Sequence, residues 1–429
     1  MTSNWQDLAV RQLETAGILL VQDGNHGEYR PRREELVADG TPHIRAADIG
    51  ENGAIDFGGA QRINNVALGR IKKGVGARGD VLLTHKGTVG RLARVPADAP
   101  HFVCSPQTTF WRSLDGDQLD QAFLFGYMRS PAFGEQLRAR MHESDMAPYV
   151  SLTAQRSFAV ALPPIAEQRR IGSVLSVFDD KIDSNRRLAS LLEGIAAALF
   201  RARLADFIGV EDFEEAEIGL IPRGWTTGSL TSLARFINGR AFTKDANAKG
   251  RPILRIKELN AGVRDDTLRT DLIAAEEHTA RHRDILFAWS GSLGVYRWSG
   301  PESLINQHIF KVIPEGYPPW FVYQSVRRHM PEFEAIARDK ATTMGHIQRR
   351  HLSEARVALP DSDTLARVSD LLEPLDQWQG ILASEIASLA ATRDALLPKL
   401  ISGEIRVPDA MDSEEVIGTA AEQLEGAKA

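Results

Sequence analysis

The 429-residue chain has a single cysteine, Cys104, which excludes an internal disulfide and any cysteine-based zinc site. Cys104 reads as a small buried apolar side chain. Long apolar runs are missing as well, since no stretch reaches the ~20 uncharged apolar residues that a membrane helix needs. The leading MTSNWQDLAVRQLE lacks the basic-then-apolar layout of an export signal, so a reducing cytoplasm is the expected location. Catalytic signatures are also scarce. There is no Gly-x-x-x-x-Gly-Lys-Ser/Thr phosphate loop, no Gly-x-Ser-x-Gly elbow and no His-Glu-x-x-His, which argues against ATP hydrolysis, serine hydrolase and zinc protease chemistry. ALPPIAEQ (161–168) lacks the Asn/Asp-Pro-Pro-aromatic core of amino-methyltransferases, and PDSD and PDAM lack the trailing acid-x-lysine of the common nuclease fold. His26, His43, His85 and His101 are scattered without triad or metal spacing and are read as non-catalytic; no metal site is expected. A positive surplus is absent too: the net charge is −6, so a nucleic-acid partner must be argued from where the charges lie. With 25% charged and 43% apolar residues, the chain has the make-up of a soluble protein of two or three domains.

What is present is a repeat. GDVLLTHKGTVG (79–90) matches RDILFAWSGSLG (283–294), placing Asp80 against Asp284, Gly87 against Gly291 and Gly90 against Gly294 at an offset of 204. Upstream, TPHIRAADI (41–49) matches RPILRIKEL (251–259), with Arg45 against Arg255 at 210. Downstream, SPQTTF (105–110) matches INQHIF (305–310), with Gln107 against Gln307 at 200, and FAVALP (158–163) matches ARVALP (355–360) at 197. Four matches in one order, with a slowly drifting offset, indicate two copies of a unit of roughly 200 residues.

Each copy opens with short β-like runs punctuated by glycine and proline, such as DVLLT, FVCS, DILFAW and IFKVI. Each then ends in an unpunctuated helical stretch, from about Pro164 to Leu204 and from about Asp363 to Leu400. Ile171, Phe178, Asn185, Leu192 and Leu199 recur every seven residues in the first stretch, with Val174, Leu188 and Ile195 three places after some of them. Val368, Leu375, Leu382, Leu389 and Leu396 do so in the second, at the same offset of 197. Forty helical residues span roughly 60 Å, and such a stripe needs a partner, for which the other copy's helix, lying antiparallel, is the natural choice. Asn185 either fixes register from the seam or faces solvent where the seam drifts. Pro374 should kink the second helix or mark its start.

Positive charge is clustered in the β-type segments. Residues 70–94 hold Arg70, Lys72, Lys73, Arg78, Lys86, Arg91 and Arg94 against Asp80. Residues 240–257 hold Arg240, Lys244, Lys249, Arg251, Arg255 and Lys257 against Asp245, and residues 338–356 add Arg338, Lys340, Arg349, Arg350 and Arg356 against Asp339 and Glu354. The acids instead crowd 205–225 and the tail from Asp409. This is the pattern of a phosphate-facing surface, although each cluster taken alone fits a merely solvated face better, and it is their recurrence in equivalent domains that favours DNA. The strand-following loops HKGTVG (85–90) and WSGSLG (289–294) offer His85, Lys86, Thr88, Ser290 and Ser292 as donors to phosphates or base edges, or are simple hairpin turns. Gln107, Gln307 and His308 are further candidate readers, or equally ordinary polar residues at a strand end. The DNA-binding set is completed by Arg70, Lys72, Lys73, Arg240, Lys244, Lys257 and Arg349.

These residues resemble the specificity subunit of Type I restriction–modification enzymes over nearly the whole chain. DGNHGEYRP with GTPHIRAADI resembles the lead-in to a first target-recognition domain, and GLIPRGW (219–225) with NGRAF and PILRIKEL the lead-in to a second. GDVLLTHKGTVGR and NQHIFKVIP resemble the family's recognition-domain core, and LPPIAEQRRIGSVLSVFDDKIDSNRRLASLLEGIAAALF (162–200) its central helix. The second copy departs from that pattern, with DSDTLARV in place of the Pro-x-Ala-Glu-Gln-Arg start and Pro374 within the ladder. The resemblance implies an α+β fold, with two repeated target-recognition domains separated by two long antiparallel helices that form a coiled-coil spacer. The corresponding boundaries are 1–162, helix 163–204, linker 205–220, 221–360, helix 361–403 and an acidic frayed tail 404–429. It further implies that two domains read a split double-stranded DNA target while the chain scaffolds partners. Those are two adenine-methylating, S-adenosylmethionine-using methyltransferase subunits, with motor–nuclease subunits using ATP and Mg²⁺ as an optional addition. This chain itself would bind no cofactor and have no catalytic residues. The alternatives are a self-contained nuclease or methyltransferase with fused specificity, and a structural adaptor that does not bind DNA.

Overall fold

The computed structural model describes residues 5–141, 148–264, 266–339 and 345–407. Most of the expected acidic tail, from 408 onward, and Lys340 lie outside the described residues. The chain divides into two compact units, 1–181 with 389–429, and 182–388.

In unit 1, β1 (Gln6–Ala9) is followed by β2 (Leu19–Asp23), β3 (Thr41–Ile44), β4 (Val81–Thr84), β5 (Leu92–Arg94), β6 (Val103–Cys104), β7 (Thr108–Ser113), helix α1 (Gln121–Arg129) and β8 (Ala159–Leu162). The order β2-β7-β4-β5 makes an antiparallel sheet. A second four-stranded sheet contains the parallel pair β3·β6, and β1 pairs with β8. From Thr108 to Trp111 β7 is buried on both faces. Trp111 enters one core with Phe123, Phe133 and Phe158, while Phe110 enters another with Ile44, Phe102 and Cys104. Burial raises the Cys104 thiol to about 12, as expected for an inert packing residue.

Unit 2 repeats this plan. After β9 (Phe213–Ala216) and β10 (Gly219–Pro222) come β11 (Thr226–Ser229), β12 (Ala234–Asn238), β13 (Arg251–Leu254), β14 (Ile285–Ala288), β15 (Gly294–Arg297), β16 (Ser303–Ile305) and β17 (Ile309–Pro314). The order β12-β17-β14-β15 mirrors the first sheet, and β13·β16 is again parallel. A helix (Pro319–Arg328) corresponds to α1, and β18 (Arg356–Leu359) pairs with β11 as β8 does with β1. Gly24 and Gly239 follow the equivalent strands β2 and β12. A Cβ at Gly24 would lie 2.1 Å from the Cys104 carbonyl oxygen, and one at Gly239 2.2 Å from that of Asn306, so only glycine fits either crossing. The segment expected as linker contains the β9–β10 hairpin, and Phe207 packs edge-on against Trp225 at 5.5 Å.

Strand register corrects two repeat alignments. Leu83 pairs with Leu92 and its mate Phe287 with Val295, so the returning strands run at an offset of 203 and Gly294 is the counterpart of Arg91 rather than of Gly90. Val81 pairs with Trp111 and its mate Ile285 pairs with Val312, so the offset on β7 and β17 is 201 rather than 200. A one-residue slip exchanges sheet faces. At 201, Trp111 and Val312 both enter the larger core of their unit, whereas at 200 Phe110 and Phe310 would face opposite sides. Gln107 is therefore the counterpart of His308 rather than of Gln307.

Two helices of 40 residues complete the chain, α2 (Ile165–Leu204) and α4 (Ser362–Ile401), the Pro319–Arg328 helix being α3. In unit 1 the start of α2 meets the end of α4: Leu175 and Leu397 converge beside Gly126, and Asp179 bonds Arg393 at 2.7 Å. In unit 2 the end of α2 meets the start of α4, with Ala196, Phe200 and Leu204 sharing a core with Val368 and Leu372. The pairing is therefore antiparallel within each unit. Ile171, Phe178, Asn185, Val368, Leu382 and Leu396 are buried, and Leu192, Leu199, Leu375 and Leu389 are half-buried. Two expectations need correction. Leu188 and Ile195 are exposed, as expected where a seven-residue repeat drifts around a helix of 3.6 residues per turn. Of the two expectations for Pro374, the start of the helix is ruled out, because α4 begins twelve residues earlier with Asp361 accepting from the Thr364 amide at 2.8 Å. Asn185 is in the seam, its amide nitrogen buried without a partner among the described residues. No helix among the described residues is long and apolar enough to cross a membrane.

Candidate nucleic-acid interface

In each unit three separate segments meet at the tip of one hairpin. In unit 1 the β4–β5 tip (85–90) is bound by the turn before β7 and by residues 148–150. The His85 amide donates to the Gln107 carbonyl at 3.0 Å, Val150 to the His85 carbonyl at 2.9 Å and Gly87 to the Pro148 carbonyl at 3.0 Å. Unit 2 repeats all three bonds: Trp289 donates to His308 at 3.2 Å, Ile347 to Trp289 at 3.1 Å and Gly291 to Gly345 at 3.0 Å. The loops are thus fixed by their backbones, leaving the side chains free to vary.

At the first tip Lys86, Thr88 and Gln107 are exposed, and the Lys86 ammonium lies 5.7 Å over the Tyr149 ring. At the second, Ser292, Gln307 and His308 are exposed. His308 lies 5.6 Å from the Trp289 ring, whose indole nitrogen donates to Asn238 at 2.9 Å. Such groups supply a cation for phosphate and amide or imidazole donors and acceptors for base edges. The exposed Lys72, Lys73, Arg240 and Lys244 stand on neighbouring segments. The amides of Lys72 and Lys73 both donate to the Asn25 side chain at 3.2 Å, which ties their loop to the residue after Gly24. Arg240 follows the equivalent Gly239.

Several candidates are occupied or inaccessible. Arg70 grips Glu35 through two bonds of 2.7 and 2.6 Å and also donates to the Arg30 carbonyl. The Arg70 bonds bring the Glu35 carboxyl down to about 2. Arg70 is therefore an internal clamp. His85 is fully buried, its Nδ1 3.0 Å from the Val150 carbonyl, and burial pushes its pKa down. It holds the loop rather than facing outward. Ser290 is buried where its mate Lys86 is exposed. Lys257 is exposed but ion-paired with Asp266, and Arg349 donates to the Phe236 carbonyl at 2.9 Å. Tyr149 and His346 were missed. Their signal was the offset of 197, which extends upstream from FAVALP through the equivalent pair Tyr149 and His346. Among the described residues no group of His, Cys, Asp or Glu forms a metal cluster.

The family described as Type I restriction modification DNA specificity domain matches residues 34–193 and again 222–389. The chain belongs to this family. Both copies of the match contain one of the hairpin tips, so the specificity chain carries the recognition fold twice. The MjaIX specificity subunit of a Type I restriction enzyme from Methanocaldococcus jannaschii is 25% identical over 382 residues, spanning 82% of this chain and 83% of its own. The HindI specificity subunit from Haemophilus influenzae is 20% identical over 410 residues, spanning 79% and 88%. The crystal structure of a Type I restriction–modification S subunit from M. genitalium shares the fold, with a TM-score of 0.50 at 13% identity over 95% of this chain and 97% of that one. DNA sequence specificity within a restriction–modification system is accordingly the function of this specificity chain.

Proposed function

We propose that the specificity chain reads an interrupted double-stranded DNA target, with each unit addressing one half-site through its three-segment tip. The two long helices set the spacing and carry two methyltransferase subunits, with motor–nuclease subunits as further partners. The chain itself performs no catalysis. S-adenosylmethionine, ATP and Mg²⁺ are used by the partners. One observation carries this reading: the same three backbone bonds recur at both tips while the exposed side chains differ, as expected of one scaffold addressing two different sequences. The acidic segments account for the net negative charge without opposing it, and phosphate contacts from partners would strengthen binding that is weak and salt-sensitive for the isolated chain.

Genome-wide methylation sequencing tests this reading. Deleting the gene should erase adenine methylation at one bipartite motif, and restoring it should return the motif. Lys86→Glu should reduce methylation at that motif at least tenfold, and Lys257→Glu less, because Lys257 already faces Asp266. Methylation that is indifferent to deletion would refute the proposal.

A further inference from the structure

We propose that Arg283, Arg297 and Asp376 form a latch that holds the β14–β15 hairpin against α4, and that they are positioning residues for recognition by unit 2. This rests on the DNA-reading function proposed above. Arg283 lies in the turn leading into β14 and Arg297 ends β15, so both stand at the base of the hairpin whose tip is 289–294. Arg297 donates to one oxygen of Asp376 at 2.6 Å, and Arg283 pairs with the other. Arg297 also donates to the Arg283 carbonyl at 3.3 Å and lies 4.8 Å over the Tyr323 ring. The Asp376 side chain is only 14% exposed, so the carboxylate depends on these partners in place of water.

Three features show that the site is built around Arg283. Its φ is 70°, in the left-handed region that a side chain disfavours, and its repeat mate is Gly79 with φ 83°. Such strain persists where surrounding contacts over-determine it. Gly380 lies beneath it inside α4: a Cβ there would come 3.2 Å from the Arg283 Cδ and 3.5 Å from its Nε. Glycine weakens a helix interior, and here it makes the slot for the arginine stem. Beside these, His282 reaches the Ser384 hydroxyl at 3.4 Å. Asp376, Gly380 and Ser384 follow one another at four-residue steps, so one helix face receives the whole turn. Unit 1 is fastened differently. Arg94, the counterpart of Arg297, pairs with Asp180, while Asp179 is held by Arg129 at 2.9 Å and Arg393 at 2.7 Å.

The test uses the full-length chain in cells lacking the native gene, read by methylation sequencing, with the purified chain's melting temperature measured in parallel. Arg283→Gly restores the residue that unit 1 uses in this turn, so the melting temperature should hold. Methylation should spread about tenfold to sites whose second half-site is mismatched or displaced by a single base pair, with first half-site selectivity unchanged. Asp376→Asn should do the same, Arg283→Lys should preserve selectivity, and Gly380→Ala, which leaves every charge in place, should relax it by displacing the arginine. Folded Arg283→Gly and Gly380→Ala chains that methylate the wild-type set with wild-type tolerance would overturn the latch. A wild-type chain that imposes no motif would overturn the DNA-reading function, and the latch with it.

Discussion

In unit 1 the turn into the tip-bearing hairpin is made by a glycine, and in unit 2 by a strained arginine; on β3 a histidine, His43, stands where β13 has Ile253. Between these differences the backbone frame is held constant. Asp80 accepts the Ala77 amide at 2.8 Å and Asp284 accepts that of Arg281 at 2.7 Å. Arg45 grips Asp48 just as Arg255 grips Glu258. Duplication has kept what fixes strand register and turn shape and released what faces outward or fastens the unit to its helix. A backbone hydrogen bond tolerates many side chains, whereas a reading surface gains nothing from being the same twice.

The sharpest way to separate the units is to hollow out one core. Trp111→Ala should cost about 3–5 kcal/mol, because it removes a fully buried ring that packs edge-on against Phe133 at 5.7 Å. Urea unfolding gives the loss, and hydrogen exchange should place the loosened amides in unit 1. Equal loosening in unit 2 would show that the two are not separately stabilised. A finer comparison comes from the paired aspartates. Asp80 is 1% exposed and takes two bonds from Arg112, at 2.7 and 2.8 Å, whereas the Asp284 side chain is 26% exposed and faces Lys311 at 2.8 Å. Asp80→Asn should therefore cost about 3 kcal/mol and Asp284→Asn about 1 kcal/mol, and the reverse order in urea unfolding would contradict the burial argument.

The last comparison concerns acid. Burial holds the His43 imidazole at about 4, with the Arg45 charge adding to it, against an ordinary value of 6.5. The unfolded chain takes up a proton that the folded one refuses. The contribution is therefore complete above pH 6.5 and is lost as pH falls from 6.5 toward 4, at most about 3 kcal/mol and less where water reaches the ring. His43→Ile, which copies unit 2, should flatten the melting temperature over that window. An unchanged slope would assign the acid sensitivity to other groups.

The repeat, the β-then-helix order of each copy and the two long helices were legible because each depends on local pattern: strand alternation, heptads, and the placement of glycine and proline. The candidate tips were half legible. HKGTVG and WSGSLG stood out as loops, but which of their side chains point outward was not visible in the string. His85 looks as available as Lys86 until Val150, 65 residues away, accepts from its ring. Arg70 looks like a free cation until Glu35 meets it across 35 residues. The alignment of Gln107 likewise turned on one residue of register that sequence identity alone misplaced.

By itself, then, the order of residues determined that there are two copies, where the β-rich segments and the two long helices lie, and which family they belong to, since these rest on short-range periodicity and on motifs kept through duplication. Only the tertiary structure decided which charges are already neutralised, which sheet face each residue of β7 and β17 occupies, and that Asp376 waits for an arginine 93 residues before it. Burial and ion pairing are properties of groups brought together by folding, and no local spacing encodes the distance between them.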